Sequence, residues 1–313
     1  MSTIEATAPT TAPRVRAGWI RTYVLADRQA VVGLAVLAFF LVIALLAPYI
    51  SPDSHTDKTG AVYGAPTGSH PLGLDDGGVD ILSQLMWGAR ISLLVGFAAS
   101  VVCMLIGGTI GIFSGYFAGK TDTILMRITD YFLVIPDIPL MIVAAAIWGR
   151  SLTNIIIIIA IIYWPSTARL IRSQVKSVRE RVYVKRAQAV GASHARLIGK
   201  HVVPQVTPLL VANTVLTVAI AIFAETYIAF LGLGDPSTVS WGKMIQNSLA
   251  GGAVFENAWW AVIPPGVCVT VVILAATMVG QSMEDALNPR LKVGHLSVRR
   301  FRLRPRPGAW QGE

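Results

Sequence analysis

The chain has 313 residues, of which 54% are hydrophobic and only 14% charged. Soluble domains carry about 25% charged residues, so this balance excludes an ordinary soluble domain and points to a bilayer. The net charge of +9 would suggest nucleic acid in a soluble protein, so its placement along the chain has to decide its meaning.

Residues 1–29 are rich in Thr, Ala, Pro and Arg and read as a tail that is disordered until near its end. Residues 30–50 form an apolar run long enough to cross a hydrocarbon core of about 30 Å. The run is too long, and too poorly followed by a cleavage site, for a secretory signal peptide, so it predicts an uncleaved anchor. Residues 51–90 read as an extracytoplasmic loop. Asp53, Asp57, Asp75, Asp76 and Asp80 stand there against a single Lys58 before Arg90. Asp80 is placed to cap a short amphipathic helix carrying Ile81, Leu82, Leu85 and Met86 on the outer membrane surface.

The second span is predicted over about 91–117. Gly107, Gly111, Gly115 and Gly119 recur every fourth residue, a stripe that lets another helix approach closely. A tightly packed span accounts for it better than a dimerisation face. Gly119-Lys120-Thr121 is not a phosphate-binding loop. The position needing the first glycine is Ser114, and a membrane helix precedes it where a strand is required. Cys103 and Cys268 lie in apolar stretches and offer no disulfide framework.

The third span is predicted over 131–148, kinked or loosened by Pro136 and Pro139. Asp137 sits between the prolines. An ionisable residue at the centre of a span costs at least ~2.5 kcal/mol, so Asp137 should face the bundle interior or water. It reads equally as a pathway group and as a partnered structural carboxylate. Asp130, with Arg127 nearby, falls at the cytoplasmic boundary. The fourth span is predicted over 152–171, with five isoleucines from Ile155. The fifth covers 206–231 and holds Glu225 near its outer end, as an outer-gate group or as a residue that snorkels or caps the next loop. Trp241, Met244, Ile245 and Leu249 repeat at helical spacing and predict an interfacial or re-entrant helix. Trp259 and Trp260 open the sixth span, over 260–281, as interfacial aromatics do. Residues 293–313 form a basic tail at the membrane surface.

Between the fourth and fifth spans lies ERVYVKRAQAVGASHARLIGKHVVP, residues 180–204. It reads as two short helices around one glycine. Val182, Tyr183, Ala187 and Val190 recur at helical spacing before Gly191, which can take the left-handed conformation that ends a helix. Ser193 is a candidate N-cap for a second piece with Leu197, Ile198 and His201 on one side. Pro204 marks the hand-over to the next span.

Six spans with the N-terminus inside place 22 of the 26 Lys and Arg residues on the cytoplasmic side. Only Lys58, Arg90, Arg150 and Lys243 fall outside. That asymmetry favours cytoplasmic N- and C-termini and a cytoplasmic 180–204 loop. Topology thereby accounts for most of the net charge, with no nucleic-acid partner.

Ala187, Gly191, His201 and Pro204 fall at the spacings of the cytoplasmic "EAA" loop of binding-protein-dependent ABC importer permeases. Tyr183-Val184, Gly191-Ala192-Ser193 and His201-Val202-Val203-Pro204 resemble most the dipeptide/oligopeptide/nickel branch. Four further stretches resemble the same branch: His70–Gly96, Ala224–Gly234, Ser240–Ile245 and Asp285–Lys292. Val79 stands where the family commonly has arginine. Lys185 and Arg186 replace the usual acidic and small residues.

The resemblance covers about 70–292. It implies an all-α polytopic type I importer domain with a permease core over 91–292, in a bacterial inner membrane. The loop would be a coupling helix docking on a separate ATPase, with Tyr183, Ala187, Gly191, Ala192, Ser193, His201 and Pro204 at the contact. The chain would bind no cofactor, since ATP and Mg belong to two partner ATPase subunits. The implied partners also include a second, similar permease, an extracytoplasmic substrate-binding protein and membrane lipid. The cargo would be a di- or oligopeptide.

The alternative is an ion-gradient-driven secondary transporter or channel, with Asp137 and Glu225 as ion sites. It would predict inverted repeats, and the sequence shows no convincing one. A membrane enzyme fits less well. The five histidines lie outside the spans, and no HExxH, paired-cysteine or GxSxG motif occurs.

Overall fold

Side chains that accept from the first turn set where many of the helices begin. Asp27 accepts from Gln29 N at 3.1 Å, Asp80 from Ser83 N at 2.8 Å, Ser151 from Asn154 N at 3.2 Å and Ser240 from Lys243 N at 3.4 Å. The computed structural model describes residues 27–51 and 56–287. Its helices are α1 (Arg28–Ile50), α2 (Ile81–Phe117), α3 (Gly119–Val134), α4 (Asp137–Trp148) and α5 (Leu152–Arg179). They continue with α6 (Val182–Ala189), α7 (His194–Leu197), α8 (Val203–Phe230), α9 (Trp241–Ala250) and α10 (Trp259–Leu287). Among the described residues the only extended pairing is an isolated antiparallel bridge between Leu74 and Asp80. Residues 1–26 of the N-terminal tail, Asp53, the exit sequence beyond residue 287 and the C-terminal tail lie outside the described residues.

Five helical runs are long and apolar enough to cross a membrane, and the pair α3–α4 makes a sixth if it is one bent span. This is the expected all-α polytopic architecture, with three corrections to the expected elements. The separate surface helix expected at 81–90 is the first part of α2. No proline interrupts Ile81–Phe117, so the ladder runs on for 37 residues. At about 1.5 Å per residue α2 is about 55 Å long, well beyond the hydrocarbon core, so it carries the fold past the membrane.

The third span is not one kinked helix. α3 and α4 meet at 88°. Pro136 cannot continue α3, and it pushes Ile135 into an extended conformation (φ −76°, ψ 127°). The second short helix after Gly191 is also not separate. α7 passes through a π-turn, Ile198–Val202, into α8, giving one run from His194 to Phe230. The wide turn absorbs the donor missing at Pro204, which sits in the first turn of α8.

Three glycines of the stripe form the seam between α2 and α5, while Gly119 starts α3 with open space around it. A Cβ added at Gly107 would stand 2.5 Å from Trp164 O, at Gly111 2.6 Å from Ala168 O, and at Gly115 2.8 Å from Arg172 O. The stripe is therefore used inside the chain, as helix-to-helix packing in membranes requires. On the other side of the bundle α8 packs against α10, and α10 against α1. At one end the 56–80 loop is stitched to this bundle. Tyr63 Oη donates to Ser248 O at 3.2 Å, and Trp260 Nε1 to Leu74 O at 3.3 Å.

Candidate functional site: the wedge between two spans

α5 ends at Arg179 and the chain turns at once into α6. Glu180 closes this corner through Lys185 Nζ at 2.6 Å and Arg179 Nη2 at 3.3 Å. Those two cations hold its carboxyl below the usual glutamate range. α6 then ends in a two-bond cap. Ala192 N donates to Ala187 O at 3.1 Å and Gly191 N to Gln188 O at 3.0 Å. That pairing is the Schellman motif, and it needs a left-handed residue at Gly191, where φ is +83°. A Cβ at Gly191 would meet nothing within 4 Å, so conformation and not space selects glycine. Ser193 accepts from Arg196 N at 3.4 Å and starts α7.

The wedge so formed has two faces. Val184 and Leu197 are buried against Ile171, Val175, Val178, Val202 and Val206, with Ala187 and Ala192 partly covered by the same cluster. The other face carries Val182, 64% exposed, and Val190, 87% exposed, together with exposed Tyr183, Lys185, Arg186 and Arg196. Tyr183 and His201 stand with ring centroids 6.1 Å apart and link α6 to the π-turn. Of the residues expected here, Tyr183, Gly191 and Ser193 face outward, Ala187, Ala192 and His201 lie at the half-buried edge, and Pro204 is exposed on α8. Among the described residues, none covers this apolar tip and the cations beside it.

The two intramembrane carboxylates lie apart. Asp137 begins α4 at the break. It is exposed, and its Oδ1 accepts from Ile138 N at 2.9 Å and its Oδ2 from Tyr163 Oη at 3.1 Å. Glu225 is 3% exposed and accepts from Ser92 Oγ at 3.1 Å. It sits under α9, where Trp241 is fully buried and donates through Nε1 to Leu85 O at 3.0 Å. Asp130 meets Arg169 Nη2 at 2.5 Å.

Sequence reasoning missed an ionic cluster beside the wedge. Asp122, 8% exposed, accepts from Arg172 Nη2 at 2.7 Å and Lys176 Nζ at 2.7 Å, and from Ser114 Oγ at 2.5 Å. Asp122 and Arg172 are 50 residues apart, so no local pattern joins them. Helical spacing was the available signal, since Arg172 and Lys176 are one turn apart on α5.

Residues 107–293 match the family described as the binding-protein-dependent transport system inner membrane component. The chain belongs to that family. It is a permease subunit of an ABC importer and a multi-pass inner-membrane protein. Residues 21–66 of the permease also match the N-terminal transmembrane domain of oligopeptide transport permease C. Among its relatives is the dipeptide transport system permease protein DppC of Alkalihalophilus pseudofirmus, 36% identical, covering 85% of this permease and 87% of the relative. The oligopeptide transport system permease protein OppC of Bacillus subtilis is 35% identical with the same coverage. DppC of Haemophilus influenzae is 33% identical over 86% of this permease and 93% of its own length.

Proposed function

We propose that this permease forms half of an inward path for di- or oligopeptides, beside a second, similar permease. Two ATPase subunits bind ATP and Mg and dock on the wedge, and an extracytoplasmic binding protein delivers the cargo. The permease itself catalyses nothing and holds no cofactor. Its termini and wedge lie in the cytoplasm, in keeping with the distribution of Lys and Arg.

One observation carries this reading. Between two spans a Schellman turn presents an uncovered apolar tip, Val182 and Val190, on a base locked into the bundle by Val184 and Leu197. An element that is rigid behind and unsatisfied in front transmits force from a partner. Tyr183, Ala187, Gly191, Ala192, Ser193, His201 and Pro204 shape or support the contact. The peptide cargo follows the names borne by the relatives. Within the path, Asp137 is the carboxylate placed to meet cargo, because an exposed charge beside broken backbone at membrane depth requires a watery lining. Glu225 acts on the outer gate indirectly, by holding α9 in place.

The mechanism needs the wedge to bind its groove differently in two states, since equal affinity shifts nothing. ATP binding closes the ATPase pair, the wedge follows, and the spans on either side of it change their tilt. The test is capture of partners by the gently solubilised permease, followed by an ATPase assay. A hydrolysing partner that is lost on Gly191→Val is the expected result. A permease that purifies alone and still conducts solute would overturn the reading.

A further inference from the structure

Besides its apolar base and the Glu180–Lys185 pair, the wedge meets the bundle through a polar contact to the end of α2. Tyr116 Oη and His194 Nδ1 lie 2.9 Å apart, their rings edge-on with centroids at 5.7 Å. Tyr116 is the penultimate residue of α2, and its carbonyl accepts from Arg179 Nη1 at 3.0 Å. So one residue meets both the start of α7 and the end of α5.

Directly after it, α2 gives way to α3 through Ala118 (φ 54°, ψ −158°) and Gly119 (φ 55°). An alanine in that region is strained and persists only where its surroundings hold it. Asp122, in the first turn of α3, accepts from Ser114 of α2 and from Arg172 and Lys176 of α5. Energetic coupling requires an element that can change arrangement, and a strained joint held only by an ionic clasp is one whose release lowers its own strain. Beyond the joint α3 leads straight to the 88° break and Asp137.

We infer that Tyr116 is a positioning residue that passes movement of the wedge into the α2–α3 joint, and so into the broken span. The inference rests on the wedge being the ATPase-docking element. Displacing His194 withdraws the partner of the Tyr116 hydroxyl. The end of α2 then shifts against Arg179, and the strained joint turns α3 about the Asp122 clasp.

The complete importer, reconstituted in vesicles with its ATPases and binding protein, provides the test. Dipeptide transported per ATP hydrolysed is read for Tyr116→Phe, His194→Ala and the double variant. ATPase capture should equal that of the unaltered permease. Transport per ATP should fall about fivefold in each single variant, the low end of allosteric couplings. It should fall no further in the double variant, because both changes break one step. An unchanged ratio in the single variants, or losses that multiply in the double, would overturn the relay. His194 is exposed, so His194→Ala decides by the same ratio if Tyr116→Phe does not assemble. Loss of ATPase capture in His194→Ala would make His194 a docking residue and overturn the relay alone. An unaltered permease that captures no ATPase would overturn the docking reading and the relay with it.

Discussion

Ser92 and Glu225 are joined across 133 residues by a buried hydrogen bond of 3.1 Å, and the same Ser92 hydroxyl accepts from Trp241 N at 3.4 Å. One serine thus ties α2 to α8 and to the start of α9. Glu225→Ala removes the acceptor and should cost about 1–3 kcal/mol, as for a buried donor left unmatched. Glu225→Gln keeps an acceptor oxygen and should stay within about 1 kcal/mol of the unaltered protein. Thermal unfolding in detergent separates the two. Equal losses would mean that the charge, not the hydrogen bond, holds the junction.

Asp122 should matter more. Asp122→Ala strands Arg172 and Lys176 together at the end of α5. Loss of one partner of a fully buried pair costs about 3–5 kcal/mol. Arg172 and Lys176 keep 31% and 40% of their side-chain exposure, so screening should reduce this to about 2 kcal/mol. The exchange Asp122→Arg with Arg172→Asp should recover part of that loss, measured as a thermal midpoint. No recovery would show that Ser114 and the buried geometry matter more than the charges.

The α2–α5 seam makes a steric prediction. Gly111→Ala places a Cβ 2.6 Å from Ala168 O, a backbone atom that cannot swing aside. The helices must part, at about 1–3 kcal/mol for an overpacked contact. Gly199, by contrast, has open space around its notional Cβ, and Gly199→Ala should be neutral. Steady-state amounts of folded protein for the two variants check this. Equal tolerance would place the helices further apart than the seam requires.

These sites differ in how far the sequence discloses them. Gly107, Gly111 and Gly115 announce a close approach through their spacing alone, but not that α5 is the helix they meet. Gly191 and Ser193 are legible because their roles are local, a turn and a cap made with residues within five positions. Pro136 announces a break, yet the 88° between the helices on either side of it is a tertiary angle that the residues at the break do not specify. The start of α2 is not legible in the sequence, because Asp80 caps a surface helix and a spanning one alike. The Asp122 clasp and the Tyr116–His194 contact join residues 50 to 78 positions apart, and pairing at that range is fixed only by the fold.

Gly191 gives the sharpest prediction, because its two possible constraints come apart. Its φ of +83° strains any residue with a Cβ, while the space around it is open. Backbone conformation alone should therefore rank the substitutions. Asparagine visits the left-handed region readily, so Gly191→Asn should keep the turn and most of the transport. Gly191→Ala should cost about 1–2 kcal/mol at the turn, and Gly191→Val more, since a branched side chain fits that region worst. All three variants should insert, because Val184 and Leu197 still bury the base of the wedge. Peptide uptake and ATPase capture, measured together, should fall in the order Asn, Ala, Val. Equal uptake in all three would mean that the wedge works without the left-handed turn. An order that follows side-chain volume instead would mean that the partner subunit, not the backbone, is what crowds residue 191.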